Sequence, residues 1–387
     1  MSQSTVYRRA LLNPASDGRP QVLEERRAAL YFANPYGKRI SEYEQVLLHA
    51  QPNPDWIPGG IGQGGWGTVF PGGRGTWENY FTEAKTSDWF AFRDPEGRWQ
   101  RPYVAEKADE WREFQRLVAT FTGQGLEGDV DHEWIEPVIT THLGALALHD
   151  YGAFMALGAP IRDCLVDTLR AAIVTASLDV LDNAQMILAE KIYWSQALPE
   201  VTAAAAPSET VWASSEVWRG ARRFVEQLWG DTYDHIEVLF ALHVVHEPLF
   251  GKLVRQEFFS KHAPAHGDAF TPRALWFSAR AAEAAGRWIR ELFGRTLAAD
   301  PTFGEYNRRL MRYWAEKWVP LEIDALRDVT GLWSTTERLR ASRASSELVP
   351  SVERTARHWA AHAGSLLEPV IHVQDLVGAV VGDARTP

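Results

Sequence analysis

The side chains with the greatest chemical reach in this chain are its twelve histidines and the acidic residues that share helical segments with them. A dinuclear iron site in a helical bundle takes one Glu from each of two helices. It takes an inward Glu-x-x-His pair from each of the other two, because two hard cations at bridging distance need carboxylate and imidazole ligands in that geometry. None of the twelve histidines has a Glu three residues before it. Asp129-x-x-His132 is an acidic near match at a helix start, where Asp is an ordinary N-terminal residue. Further on, the slot where the pair would stand reads Asp182-x-x-Gln185, and Gln ligates iron poorly, so buried hydrogen bonding is the expected role. His243 and Glu247 share a face as an i, i+4 imidazole–carboxylate pair that satisfies a core without metal, with His246 rotated away. Glu283 has Arg280 and Arg287 within a turn, which reads as an ion pair. Asp182, Gln185, His243, Glu247 and Glu283 are therefore read as degenerate polar positions of a bundle core. No catalytic, cofactor-binding or metal-binding residue is assigned.

Other chemistries find less. His142 and His149 lie seven apart on an apolar stripe without a carboxylate at ligand spacing, and read as core histidines. His358 and His362 form an i, i+4 pair with no third ligand near in sequence, too little for zinc. The single cysteine, Cys164, sits in a helical pattern as a small core residue and excludes an internal disulfide framework. GGIGQGGWG runs into an aromatic stretch with Pro71 rather than a helix, so it is not a dinucleotide fingerprint, and no G-x-S-x-G occurs.

The elements that would position these residues are helical. Ile135, Val138, Ile139, Leu146 and Phe154 recur at helical spacing; Gly158 and Pro160 interrupt, and a second, longer helix starts at Ile161. Along it Ala171, Thr175, Leu178, Asp182, Gln185, Ala189 and Ile192 form the expected inner face. Ile236, Phe240, His243, Glu247, Phe250, Val254 and Phe258 mark a third helix, kinked at Pro248. A fourth opens with Thr271 as N-cap and Pro272 at its first position, with small inner residues at Ala279, Ala282 and Gly286. Four long helices with a crossover-length connection between the second and third give an all-α, ferritin-like bundle.

The chain outside the bundle differs. Gly and Pro are dense from Gln51 to Tyr103, yet Trp56, Trp66, Phe70, Trp89, Phe90 and Trp99 interleave with them. A flexible linker lacks such aromatics, and this stretch cannot bury them against itself, so an arm laid over another surface is expected, either its own bundle or, as the favoured reading, a second chain, with those six residues as candidate interface anchors. The expected organisation is an extended arm with a short helix capped near Ser41 over residues 1–104, the bundle over 105–300 and C-terminal helices packed on it over 301–387. A formal charge of −10 excludes a nucleic-acid partner of the usual basic kind. No apolar run reads as a membrane span and no signal-peptide pattern opens the chain, so a cytoplasmic protein is expected.

The runs NPYGKRISEYEQVLLHAQPNPDW and FRDPEGRWQRPYVAEKADEWREF, followed by four bundle helices without iron ligands, resemble the β (small) hydroxylase subunit of soluble di-iron monooxygenases, most of all the propane monooxygenase type. The resemblance covers roughly residues 25–375. It implies a non-catalytic subunit without a cofactor of its own, supporting a related α subunit that holds the di-iron centre and hydroxylates propane or a similar small hydrocarbon. It further implies an NADH-dependent reductase with FAD and an iron–sulfur cluster, a small coupling protein, room for a γ subunit, and a dimer of heteromers. An independent ferritin-like metal oxidase with unusual ligands and a non-enzymatic helical scaffold are the alternatives.

Overall fold

The computed structural model of the chain describes residues 39, 41–50, 82–87, 89–164, 166–343, 347–364, 366 and 371–382. Trp56, Trp66 and Phe70 lie outside them. Among the described residues the regular structure is entirely helical. Helix α1 (Glu42–Ala50) is followed by α2 (Gln100–Gln124). Helix α3 combines His132–Trp134, a π-register stretch Ile135–His142, and Leu143–Ala156. A short α4 (Gly158–Asp163) precedes α5 (Asp167–Ala197), the longest helix. The crossover contains α6 (Ala206–Ser214) and α7 (Glu216–Gly230). Helix α8 runs from His235–Phe240 into π-register Ala241–Ser260, and α9 from Thr271–Arg290 into π-register Glu291–Ala298. Helices α10 (Gly304–Val329), α11 (Glu337–Arg343), α12 (Leu348–Ala363) and α13 (Val373–Val381) complete the chain.

The four long helices pack in the order α3–α5–α9–α8, while α10 and α12 cover the outer sides of α8. That is why α8 is apolar nearly all round. Ile236, Phe240, Phe250, Val254 and Phe258 of the expected stripe are buried, and so are Val244, Val245 and Leu253 on its other faces. Pro248, with no N–H to donate, falls within the π-register stretch. Tryptophan fills this core: Trp134, Trp194, Trp218, Trp288, Trp318 and Trp333 are fully buried. Helix α5 is long and apolar enough by composition to cross a membrane. More than half of its most apolar window is buried in the bundle, and it carries buried Asp179, Asp182, Glu190 and Lys191.

Local signals set several helix starts. Ser41 and Glu44 form the reciprocal cap of α1: the Ser41 hydroxyl accepts from the Glu44 amide and the Glu44 carboxylate from the Ser41 amide. The expected cap at Thr271 is displaced. Thr271 is the first helical residue, Pro272 the second, and the Asp268 carboxylate accepts from the Phe270 and Thr271 amides. The Thr271 hydroxyl is thereby free to donate to Glu190. Helix α5 starts at Asp167 rather than Ile161, because Cys164 and Val166 are extended after α4.

The described part of the arm lies on its own bundle. The Glu83 amide donates to Asp234, Lys85 exchanges two hydrogen bonds with Asn307, and Thr86 and Ser87 bind the Asp300 carboxylate. Trp89 is half-buried against the core, Phe90 follows it in a 3-10 turn, and Trp99 is half-buried just before α2. Arg93 pairs with buried Glu44, and Arg98 grips Asp179 of α5 with two hydrogen bonds of 2.9 and 3.2 Å. For residues 82–87 and 89–99 the surface beneath the arm is that of the chain's own helices, which offer buried carboxylates to the arginines.

Candidate functional site: the polar centre of the bundle

Three helices meet through a chain of buried polar groups. The His149 and His246 rings face each other with Nε2 atoms 2.7 Å apart. On the far sides His149 Nδ1 lies 2.9 Å from Asp150 Oδ1 and His246 Nδ1 lies 2.6 Å from Glu322 Oε2. All four side chains are at most 1 % exposed. Phe224 and Phe250 sandwich the His246 ring in near-parallel stacks at 4.2 and 4.8 Å. Asp150 also accepts from Arg255, whose other terminal nitrogen donates to Glu247 at 2.7 Å.

The proton inventory follows from the bonds. Asp150, paired with a guanidinium, is the acceptor for His149 Nδ1–H, so His149 Nε2 must accept from His246 Nε2–H. Burial pushes the His149 pKa down to about 4, which keeps it neutral. One further proton is shared between His246 Nδ1 and Glu322, whose pKa burial raises. With no exposed member, the chain cannot exchange that proton with a substrate. It pins α3, α8 and α10 together.

Arg255 occupies the position of interest. Burial alone would lower its pKa, but Asp150 and Glu247 more than offset this and hold it above its ordinary value. Its terminal nitrogens reach two carboxylates from two helices, which is the charge pattern a metal would otherwise satisfy. The Glu247–Arg255 pair passes over Gly251, where a Cβ would lie 2.4 Å from Glu247 Oε1. Asp179 is likewise taken, by Arg98 and by Lys107 at 2.8 Å. Ala176, Ala281 and Ala285 complete the centre, around a space of only about 20 Å³. A single water needs roughly 10–15 Å³ on this measure, so no substrate fits. The side chains here do not fit a dinuclear metal: their carboxylates already have cationic partners.

The expected core positions separate. His243 is buried at the centre with neither ring nitrogen hydrogen-bonded, its pKa pushed down to about 4 by burial. Glu247 reaches over to Arg255 rather than pairing with His243. Asp182 is buried but turned to α2, accepting from Trp111 Nε1 at 2.7 Å beside Lys107, with its pKa raised by burial. Two positions are corrections. Gln185 is exposed, as are Leu178 and Ile192, because the row read as inward lies at the edge of the buried face of α5: its Thr175 and Asp182 are buried, and the face itself carries Ala172, Ala176, Asp179, Asn183 and Met186. Glu283 is exposed too, and Arg280 and Arg287 reach Glu110 and Glu96 instead. His246, set aside as rotated away, is central because α8 is buried on both faces. Asp150, Arg255 and Glu322 were missed. A lone arginine in the apolar run of α8 was the one signal for them.

Away from the centre, between α4 and α5, Cys164 is an inert thiol: it is buried, which pushes its pKa up to about 12. His142 accepts from Trp218 Nε1 at 2.9 Å, its pKa lowered to about 4 by burial.

The chain, a helical bundle with a long crossover, belongs to a known hydroxylase family. The methane/phenol/alkene hydroxylase family model matches residues 66–300. Among individual relatives, the methane monooxygenase component A beta chain of Methylosinus trichosporium is 37 % identical over 351 residues, 89 % of each chain. The propane 2-monooxygenase hydroxylase small subunit of Rhodococcus jostii is 28 % identical, over 78 % of this chain and 80 % of that one. Identity to the methane chain is therefore the higher of the two. Phenol hydroxylase from Pseudomonas sp. OX1 shares the fold, with a TM-score of 0.68 at 17 % identity over 89 % of this chain and 94 % of that one. The chain is a β-type subunit of a multicomponent hydroxylase.

Proposed function

We propose that this chain is the non-catalytic support of a di-iron α subunit in an NADH-dependent, cytoplasmic monooxygenase that hydroxylates propane, methane or another short alkane. The observation that carries the reading is Arg255. A fixed cation stands between carboxylates of two helices in a centre with room for one water, so that centre has no place for oxygen and a hydrocarbon to meet. The di-iron centre then belongs to the α subunit, and FAD and an iron–sulfur cluster to the reductase; a γ subunit, a coupling protein and a dimer of heteromers complete the proposed assembly.

The outer face of α5 supports the partner. Leu178, Leu188 and Ile192 are 38, 48 and 50 % exposed and share one side of the helix with Gln185. A long apolar ridge of this kind is what an obligate contact covers. Trp56, Trp66, Phe70 and Phe90 remain proposed interface anchors.

The test is co-expression with the α subunit followed by metal analysis. Iron is expected with the α subunit alone, and Leu188→Asp with Ile192→Asp in this chain should release the partner while circular dichroism stays helical. Stoichiometric iron and hydroxylase activity in this chain purified by itself would overturn the proposal.

A further inference from the structure

A second cavity, of about 380 Å³, opens between α8, α9 and α12 on the solvent side of His243. Its size falls in the range of small-molecule sites, roughly 300–1,000 Å³. Its floor is made of residues that fill little space: Gly251 from α8, and Ala279, Ala282 and Gly286 from α9. A Cβ at Gly286 would make ordinary van der Waals contact with Arg290 and His362, at 3.4 and 3.7 Å. Buried His243 and Arg255 border the cavity, with the His243 ring nitrogens and the Arg255 Nε themselves shut off from solvent.

The charge around the cavity selects its sign. The groups that face it are His243, Glu247, Lys252 and Arg255 on α8, Glu283, Arg287 and Arg290 on α9, and His358 and His362 on α12. Arg255 is neutralised by Asp150 and Glu247, and Arg287 by Glu96. Lys252 and Arg290 remain, against the single exposed carboxylate of Glu283. The three histidines are uncharged. Burial is the main cause for each, with Lys252 adding to it at His358, and Arg290 and His358 adding to it at His362. A cation is therefore disfavoured here, which removes zinc from consideration although three imidazoles line one cavity.

We propose that this cavity is a binding site for a small carboxylate with a short apolar tail. The carboxylate accepts from the Arg290 guanidinium and Lys252 ammonium at the mouth, and the tail lies on the alanine and glycine floor toward His243. Inorganic phosphate offers the charge without the tail, and an alcohol the tail without the charge.

The test uses the full-length chain with whatever partners it carries on purification. Equilibrium dialysis with labelled butyrate is expected to give one saturable site per chain in the millimolar range or tighter. Lys252→Gln with Arg290→Gln should weaken it at least tenfold, and Gly286→Leu, which fills the floor, should abolish it. Both variants should melt within a few degrees of the native protein, and a variant that does not is replaced by Ala282→Leu. Phosphate and n-butanol should compete at least tenfold less well than butyrate. Absence of a saturable site, equal competition by phosphate or butanol, or binding unchanged in both variants would overturn the proposal.

Discussion

Replacing Arg255 by Met keeps most of the side-chain volume and removes the charge that two helices share. Asp150 is then left fully buried with one hydrogen bond from neutral His149, since its Oδ2 has no hydrogen-bond partner. Glu247 loses its guanidinium as well. Breaking a buried pair by removing one member costs about 3–5 kcal/mol, a large share of the roughly 5–15 kcal/mol that holds a folded domain together. The loss must depend on pH in a definite direction. Without the cation, both carboxyls take up protons more readily when folded than when unfolded. A group with a raised folded pKa contributes its stability below the unfolded pKa and loses it as pH rises through the folded pKa. The deficit of Arg255→Met should therefore be smallest near pH 5 and largest near pH 8, read from urea titrations followed by circular dichroism. Adding Asp150→Asn and Glu247→Gln should recover most of it, because neutral amides need no counter-charge. A deficit below about 1 kcal/mol at pH 8, or one that does not vary with pH, would refute the view of Arg255 as the charge that closes the bundle centre.

Three further outcomes are expected. Glu190 is fully buried, and burial and Asp268 raise its pKa from 4.5 to about 8; its contribution to stability is present below pH 4.5 and is lost as pH rises to 8. Such a shift corresponds to on the order of 4–5 kcal/mol, so Glu190→Gln should flatten the stability profile across this window and exceed the native protein in stability at pH 8, checked by melts at both ends. Arg98→Met removes two hydrogen bonds to Asp179 but leaves Lys107 beside it, and should cost about 1–3 kcal/mol while exposing the segment before α2 to protease. Gly220→Ala should cost a similar amount, about 1–3 kcal/mol, since its Cβ would lie 2.6 Å from Ala325 Cα where α7 crosses α10; a shifted urea midpoint measures it.

Legibility followed the range of the forces involved. The stripe of α8, the crossover and the cap at Ser41 are written in residues a few positions apart, and each appears in the fold. The orientation of α5 was not readable. Apolar residues lie all round it: Ile173 and Ile187 go to the core while Leu178, Leu188 and Ile192 face out, so periodicity alone could not choose the side, and the expected row mixes buried Thr175 and Asp182 with exposed Leu178, Gln185 and Ile192. The polar centre depends on partners 76 to 105 residues apart, His246 with Glu322 and Asp150 with Arg255, and spacing within a helix carries no information about them. The absence of Glu-x-x-His was legible because an absence of ligands needs no partner. What replaced the ligands became visible only when the helices came together.

A protein whose core is closed by a dissociable ion has a stability that varies with the logarithm of that ion's concentration. Arg255 is covalently part of the chain. It cannot be chelated, exchanged for a competing metal or change oxidation state. In the proposed reading, closing this centre carries no term in iron supply, so starvation or oxidant stress that empties metal sites elsewhere leaves it closed. In the proposed assembly, that makes it the component whose shape is set first, a finished mould against which a metal-dependent neighbour can mature.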